Sequence, residues 1–379
     1  MNLYFKKNNS LFYIAYIMIY VSLFIGDIYT NNILDICSRC LRIFSYIIII
    51  ISTFNLKMQK KEILLMGIFL MISLFYALKT GNFYWIFLLL FIYNCKNIEI
   101  ENIFKLSFMM IIVGVIVVLF FCVIGILPDV LTSRNTLNQI NYNRHSFGFY
   151  HSNVLPLLMF YLEVYYICMK KGVISNKIMF FFIVIALVSY IFNQSRNALI
   201  LSVLLSLFII IIKKRNSNTC KILYPITILS VPVMSVFSFS MMFLLLKGGV
   251  WNSIDFIFSG RFRLAIFKMR RVGIHLINLM RENDFINDNI SYVNGQQINT
   301  IVIDNGFLYI LLRYGVLLLL FYFVIAYQLA KKNYSNRIVL LTIITVFIAN
   351  FVDNDLVDYS FMPFIFWAFN NIKSSNKIT

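Results

Sequence analysis

Charged residues are scarce in this sequence: only 13% of its 379 positions are Asp, Glu, Lys or Arg, against about a quarter in soluble proteins. Hydrophobic residues make up 61%, and the mean hydropathy is +0.83. These proportions exclude a soluble enzyme, a disordered chain and a secreted disulfide scaffold, and they indicate a membrane protein. Acidic residues are the scarcer charge, 15 against 33 basic residues, which gives a net charge of +18. In a membrane protein such an excess collects in cytoplasmic loops, so it does not indicate a nucleic-acid partner.

Several catalytic signatures are also absent. The sequence has no phosphate-binding glycine loop, no HExxH or GxSxG motif and no nucleic-acid-binding signature, which argues against an enzyme with a cytosolic nucleotide site. The single CxxC motif, Cys37-Ser-Arg-Cys40, has no second pair, so a zinc site is disfavoured and a local disulfide stays open. No small-residue cleavage site follows the first apolar run, which predicts a retained helix rather than a signal peptide.

Apolar runs near the length of a bilayer core recur along the whole chain. A spanning helix needs about 20 mostly apolar residues, and this length gives about twelve candidate spans. Because some of the candidates are short, a total of ten or eleven spans also stays open. The predicted spans are 11–28, 35–55, 62–78, 82–94, 104–127, 152–169, 178–194, 197–212, 222–246, 306–329, 338–352 and 359–371. We therefore expect an all-α polytopic protein of the inner or plasma membrane, with residues 1–379 in a single integral membrane domain.

The basic residues alternate loop by loop, which predicts the orientation. If the first terminus is cytoplasmic, 19 of the 33 Lys and Arg residues lie on the cytoplasmic side and six lie in short loops on the opposite side. Because Lys and Arg favour cytoplasmic loops, we expect both termini inside and an even number of spans. Two outward loops are long: residues 128–151, and residues 247–305 between the ninth and tenth spans.

The outward side carries nearly every residue capable of chemistry. The three histidines of the chain all fall there: His145, His151 and His275. Three aspartates, Asp353, Asp355 and Asp358, precede the last span. They are interpreted either as a solvated turn or as a group that grips sugar hydroxyls.

An amphipathic helix is predicted within the long loop, with Ser259 as its N-cap. Apolar positions recur at helical spacing and form one face: Phe262, Ile266, Met269, Leu276 and Met280. A polar stripe follows the other side: Arg261, Lys268, Arg271, His275 and Asn278. This stripe is typical of an interfacial helix on anionic lipid headgroups. It also suits a clamp for a diphosphate, since guanidinium groups match phosphate oxygens, and the two interpretations are compatible.

Two ionisable residues lie inside predicted spans. Glu163 is near the middle of the sixth, and Arg313 is about two turns into the tenth. Isolated charges in a bilayer cost several kcal/mol, so these two residues are expected to face a polar cavity or each other. A structural ion pair between them and a role in a site are both open.

Four islands of sequence share a pattern with a known family. They are Arg144-His-Ser-Phe-Gly-Phe-Tyr-His-Ser-Asn153, Ser195-Arg-Asn-Ala198, Ser259-Gly-Arg261, and Asp304-Asn-Gly-Phe-Leu308 with Arg313-Tyr-Gly315. In the same order, they resemble motifs of the bacterial polysaccharide polymerases of the Wzy type, which are relatives of the O-antigen ligases. The first island resembles the outward loop that leads into about the sixth span, and the second resembles the Ser-Arg-x-Ala/Gly motif. The third resembles the Gly-Arg motif in the large loop, and the fourth resembles the end of that loop and the following span.

The resemblance implies a metal-independent glycosyltransferase without a cofactor. Its substrates would be undecaprenyl-diphosphate-linked oligosaccharides at the outer leaflet, and the growing chain would pass from its lipid diphosphate to a hydroxyl on the next repeat. The product would be capsule, exopolysaccharide or O-antigen. The expected partners are these substrates, membrane lipid, and the flippase and chain-length regulator of the same pathway, with no nucleic acid.

The resemblance also implies roles for residues. Arg144, Arg196 and Arg261 would bind the diphosphate, with Arg271 added by the helical stripe. The ligases have His-Asn-x-x-Leu where this chain has Asp304-Asn305, so a histidine base does not carry over there. The base is then one of Asp304, His145 and His151. Asn305, Glu163 and Arg313 are expected to support the site.

Two other functions fit the same composition. An O-antigen ligase would move finished glycan to a lipid acceptor, and the replacement of the histidine by aspartate argues modestly against it. A lipid-linked oligosaccharide flippase would also have about twelve spans and buried charges. Alternating access needs two equivalent halves and short loops, however, and the loop at 247–305 is hard to place in that design.

Overall fold

The computed structural model describes residues 10–29, 32–56, 59–135, 141–214, 219–258, 260–281, 284–285, 291–293, 296–298 and 303–371. Helices dominate these residues. They are α1 (Ser10–Gly26), α2 (Asn32–Phe54), α3 (Lys60–Thr80), α4 (Tyr84–Asn94), α5 (Ile100–Val123), α6 (Val154–Met169), α7 (Asn176–Asn193), α8 (Arg196–Lys213), α9 (Thr219–Leu245), α10 (Val250–Ile257), α11 (Arg261–Val272), α12 (Gly306–Arg313), α13 (Val316–Lys332), α14 (Arg337–Val352) and α15 (Met362–Phe369). Two antiparallel hairpins lie in the predicted outward loops: β1 (Thr132–Asn135) with β2 (Asn141–Arg144), and β3 (Ser291–Val293) with β4 (Gln296–Ile298).

Five helices are long and apolar enough to cross a membrane: α3, α5, α7, α8 and α9. Three shorter apolar helices accompany them: α1, α6 and α14. Helix α4 has 11 residues and α15 has eight, or about 16 and 12 Å, against a hydrocarbon core of about 30 Å. The chain is therefore an α-helical, membrane-embedded protein, whereas twelve spans and their direction remain predictions.

Helix α14 lies at the centre of the bundle because it is apolar on every side. Thirteen of its 16 residues are buried, and it packs against α6, α8, α9 and α12. The Asn336 side chain accepts the N–H of Val339 at its start, and Asp353 caps its end. This helix therefore fixes the position of the aspartates that follow it.

The tenth predicted span is two helices rather than one. Helix α12 ends at Arg313, and α13 begins at Val316. Gly315 between them has a φ of 99°, in the region that favours glycine, and a Cβ there would lie 2.7 Å from the Leu276 carbonyl oxygen. Hydropathy is uniform over 306–329, so it does not predict the break. The break comes with contacts between these helices and the long loop.

Part of the long loop fills this break. The N–H of Val316 donates to the His275 carbonyl at 3.0 Å, and the N–H of Asn278 donates to the Tyr314 carbonyl at 3.1 Å. We call residues 275–280 the re-entrant segment, because their backbone pairs with that of the broken helix and Asn278 is buried, although Leu276, Ile277 and Leu279 stay exposed. The segment supplies hydrogen-bond partners for backbone N–H and C=O groups that a broken helix leaves free. Irregular backbone at membrane depth needs such partners, because no water is present there.

The predicted amphipathic helix is shorter than its pattern indicates. Helix α11 ends at Val272, and Gly273, with a φ of 75°, caps it through an N–H bond to the Met269 carbonyl. His275 and Asn278 were expected on the polar stripe, but this part of the prediction is wrong, because both belong to the re-entrant segment. The predicted N-cap at position 259 lies outside the described residues.

Contacts between loops gather polar residues at two ends of the bundle. At one end, Ile28 pairs with Phe149 as an isolated β-bridge, and the Tyr359 hydroxyl donates to the Asp27 carboxylate. At the other, the Lys332 ammonium donates to a carbonyl of α15 at 2.7 Å. We call the first the aspartate end, and it comprises residues 27–29, 128–135, 141–153, 193–196, 255–258, 260–261, 303–305 and 353–360.

Candidate functional site

Arg261 lies between two carboxylates at the aspartate end. It is the first residue of α11, after Gly260 at φ 77°, and it is only 7% exposed. Its Nε is 3.8 Å from the Asp304 carboxylate and its Nη2 is 3.6 Å from that of Asp353. Its Nη1 is buried and has no hydrogen-bond partner among the described residues. The guanidinium therefore keeps one donor nitrogen for a further acceptor.

Asn305 fixes the position of Asp304. Its side-chain oxygen accepts the N–H of Leu308 at 3.0 Å and so caps α12. Its amide nitrogen donates to the Ser238 hydroxyl at 3.0 Å and to the Phe351 carbonyl at 2.8 Å. With 1% exposure and these three bonds, Asn305 holds the start of α12 against α9 and α14. Asn305 therefore supports the site by holding Asp304 in position.

Arg144 is held by the loops that surround it. Its Nε donates to the Asn193 carbonyl at 2.9 Å, and its Nη2 donates to the Asn153 side chain. The Asn193 amide in turn donates to the His145 carbonyl at 2.6 Å. Arg144 is 9% exposed, so its guanidinium is oriented by Asn153 of the first island and by Asn193, which lies two residues before the second island.

His145 is engaged by Asp129. Its Nδ1 lies 2.5 Å from one carboxylate oxygen of Asp129, whose other oxygen accepts the N–H groups of Ser146 and Phe147 at 2.9 and 2.8 Å. Burial raises the pKa of Asp129, but the hydrogen bond from His145 and those from the two N–H groups outweigh it and leave the pKa below its usual value. This arrangement anchors the loop after β2 and fixes the orientation of the His145 ring.

His151 is within electrostatic range of Arg144 and of Asp304, the residue beside Arg261. Burial lowers its pKa, as does the charge of Arg144, whereas Asp304 partly opposes both. The ring is therefore neutral at pH 7. Its Nδ1 accepts the N–H of Asn153 at 3.1 Å, so a neutral ring carries its proton on Nε2. In this geometry His151 is a hydrogen-bond donor at Nε2.

Asp304 is a carboxylate that is partly open to solvent. Its side chain is 44% exposed, beside Arg261. Burial raises its pKa, and the charges of Arg261 and His151 offset part of that rise. A carboxylate whose pKa moves toward the working pH is a better proton acceptor than an ordinary one.

The aspartates before α15 are not a solvated turn. Asp355 is 5% exposed and accepts a hydrogen bond from the Tyr161 hydroxyl at 3.3 Å. Burial raises the pKa of Asp353 to about 7 against the opposing charge of Arg261, and it raises that of Asp358 to about 6. Burial, then the charges of Asp353 and Asp358, raise the pKa of Asp355 well above its usual value. The second interpretation, a group that grips sugar hydroxyls, stays a prediction.

The fold adds a residue that the sequence analysis missed. Asp27, just beyond the end of α1, accepts a hydrogen bond from the Tyr359 hydroxyl. Burial, then the charge of Asp358, raise its pKa well above the usual value. A carboxylate at the outward end of the first span is the signal that could have identified it, but only the fold shows that α1 ends beside α15.

Helix α11 turns two of its cations inward. Lys268 is 0% exposed, and its ammonium donates to the Phe285 carbonyl. Arg271 is exposed and lies ten residues from Arg261, about 15 Å along the helix. Arg196 is exposed at the first turn of α8, next to the loop that holds Arg144. Of the predicted diphosphate ligands, Arg271 is thus the one set apart from the aspartate end.

Glu163 and Arg313 do not form an ion pair. The Ser206 hydroxyl donates to one oxygen of Glu163 at 2.6 Å, and its other oxygen is buried with no partner among the described residues. Arg313 donates to the Met280 carbonyl at 3.0 Å, and its guanidinium carbon lies 5.1 Å from the centre of the Phe285 ring. Arg313 thus ties the re-entrant segment to α12, and the predicted pair is wrong.

Together the fold and these clusters define a class: an α-helical membrane protein with a polar, arginine-containing cluster at one end of its bundle. No protein-family model, curated protein or solved structure matches the chain significantly. Within the described part of the chain, no three His, Cys, Asp or Glu side chains converge closely enough to hold a metal ion.

Proposed function

We propose that the chain is a polysaccharide polymerase of the Wzy type, acting on undecaprenyl-diphosphate-linked repeat units at the outer leaflet. The observation that supports this function is the meeting of distant sequence islands at the aspartate end. Arg144 and Asn193 form one contact group, and Arg261 and Asp304 form another. His151 is within electrostatic range of both Arg144 and Asp304, which supports placing the two groups at one site.

The chemistry assigned to these groups is a single glycosyl transfer. The bond between the anomeric carbon and the diphosphate oxygen breaks, and a bond forms from that carbon to the acceptor hydroxyl oxygen. The hydroxyl proton passes to Asp304, and the leaving diphosphate keeps the electron pair. Arg144, Arg196 and the free nitrogen of Arg261 stabilise the developing negative charge, so that the diphosphate lies toward the arginines and the acceptor sugar toward the aspartates.

Surface glycan from a strain lacking the gene tests the proposal. The strain is complemented with wild-type chain, Arg196→Ala or Arg270→Ala, and lipid-linked and surface glycans are separated on a gel. Arg196 and Arg270 are both exposed, so neither substitution is expected to disturb folding, and membrane abundance is measured as a check. We expect long chains with wild type and Arg270→Ala, and single repeats with Arg196→Ala.

Other outcomes identify the competing functions. Normal chain length with Arg196→Ala, at normal abundance, contradicts the arginine site. Precursor trapped on the cytoplasmic face in the deletion strain indicates a flippase. Complete polymer that accumulates on undecaprenyl diphosphate without reaching its final acceptor indicates a ligase.

A further inference from the structure

Five of the carboxylates at the aspartate end, those of Asp304, Asp353, Asp355, Asp358 and Asp27, form a group that we call the aspartate row. Asp304 and Asp353 lie at one side of it, against Arg261. Asp355 comes next, with its N–H donating to the Asn350 side chain at 3.1 Å. The last two members of the row, Asp358 and Asp27, are both bound by Tyr359: its N–H donates to Asp358 at 2.6 Å, and its hydroxyl donates to Asp27. Five carboxylates from three separate segments thus lie at the aspartate end, and Asp355 is within electrostatic range of Asp353, Asp358 and Asp27.

Tyr150 marks the open side of this row. It lies within electrostatic range of four of the carboxylates, those of Asp27, Asp358, Asp355 and Asp304. Its side chain is nevertheless 56% exposed. Its own N–H donates to the Asp27 carbonyl at 3.0 Å, which fixes the backbone and leaves the ring at the surface. An aromatic ring beside hydrogen-bond acceptors is an arrangement suited to a sugar, with an apolar face and hydroxyls at its edge.

A second observation shows that the row faces a ligand site. Arg261, at the arginine side of the row, is more than nine-tenths buried, and its Nη1 has no hydrogen-bond partner among the described residues. A buried donor without a partner costs free energy unless a ligand or water completes it. The aspartate row therefore begins at an incomplete anion site and extends away from it.

We propose that the aspartate row and Tyr150 form the subsite for the acceptor sugar, and that this subsite accepts neutral or amino sugars and excludes sugars bearing an acid group. The inference rests on the proposed polymerase function. Carboxylate oxygens accept hydrogen bonds from sugar hydroxyls and attract an ammonium group. A sugar carboxylate in the same place would be a charge in a buried site whose own carboxyl groups already resist ionisation. Among the described residues Arg261 is the one cation beside it, so burial disfavours a further anion there.

A matched pair of probes tests the charge preference. The full-length protein in nanodiscs is titrated with undecaprenyl diphosphate alone, and with undecaprenyl-diphosphate-linked disaccharides ending in glucose or in glucuronic acid, which differ only at carbon 6. We expect the glucose probe to bind at least tenfold more tightly than the glucuronic acid probe. In the double variant Asp27→Asn, Asp358→Asn we expect this ratio to fall to about threefold or less, with binding of undecaprenyl diphosphate unchanged.

A second variant covers the case in which the double variant does not fold. Tyr150→Ala removes an exposed ring, and we expect it to weaken both glycan probes equally while preserving the glucose preference. Equal binding of the two probes by wild type, or a ratio unaffected by Asp27→Asn and Asp358→Asn, overturns the inference. Failure of undecaprenyl diphosphate itself to bind, or no loss of its binding with Arg196→Ala, overturns the polymerase proposal and the inference with it.

Discussion

Removing the Arg261 guanidinium should destabilise the protein in a pH-dependent way. The relevant partner is Asp353, whose side chain is 19% exposed and lies 3.6 Å from Nη2. At an effective dielectric constant of 20, the attraction between unit charges at this distance is about 4 kcal/mol. Asp304 is 44% exposed, so solvent screens its pair and its contribution is small.

The sign of the pH dependence follows from Asp353. Its pKa is raised to about 7 in the folded protein by burial, against the lowering effect of Arg261, and it lies near 3.9 in an unfolded chain. Protonation therefore favours the folded state, and this stabilisation is lost as pH rises from about 4 to about 7. At pH 5.5 Asp353 is mostly protonated and gains little from Arg261. At pH 8 it is charged and depends on that arginine.

We expect Arg261→Ala to cost about 3 kcal/mol at pH 8, near the lower limit for breaking a buried pair, and about 1 kcal/mol at pH 5.5. At about 2 °C per kcal/mol, Tm would fall by about 6 °C and about 2 °C. Thermal unfolding of detergent-purified protein, followed by tryptophan fluorescence, measures both.

Arg270→Ala is the matched control for this experiment. It lies on the same helix and is exposed, so we expect a change below about 0.5 kcal/mol at either pH. A penalty for Arg261→Ala that is the same at pH 5.5 and pH 8, or no larger than that for Arg270→Ala, would refute the buried arrangement of Arg261 and Asp353.

Six further substitutions test the fold. Gly315→Ala should cost about 3 kcal/mol, because a Cβ would meet backbone at 2.7 Å and φ is 99°. Gly67→Ala, within α3 and without a neighbour inside 4 Å, should stabilise by up to about 1 kcal/mol. Asn305→Ala should cost about 3 kcal/mol through its cap and two buried bonds, and Asn305→Asp about half as much. In a double-mutant cycle, Glu163→Gln and Arg313→Gln should be additive within about 0.5 kcal/mol, and a larger coupling would contradict their separate partners. Chemical or thermal denaturation measures each.

The helical segments were predictable because hydropathy is a local property. Each predicted span overlaps a helix, and the tenth overlaps two. The break at Gly315 was not predictable from hydropathy, because residues on both sides are apolar and the cause lies in the re-entrant segment. The local sequence signal for an interruption in this apolar run is a charged residue, Arg313, followed two residues later by Gly315.

The site was predictable in its residue types and less so in their surroundings. Arg144, Arg261 and Asp304 were selected by motif, and the structure places them at one end, although their roles remain proposals. The burial of Asp355 was not predictable, because acidic residues before an apolar run have the same local pattern in a turn facing water. Only packing of the turn against α6 and α14 distinguishes the two cases. The same holds for Asp27, whose partner is more than 300 residues away.

The interruption at Gly315 also links two distant parts of the chain. Helix α12 has eight residues and cannot cross a bilayer alone, and in lipid every backbone group needs a partner. The carbonyls of His275 and Leu276 accept the N–H groups of Val316 and Leu317. The same loop carries Arg261 at the start of α11. The backbone partners that the broken helix needs and the guanidinium of the cluster therefore come from one stretch of the chain, so that a change in this stretch is felt at both places.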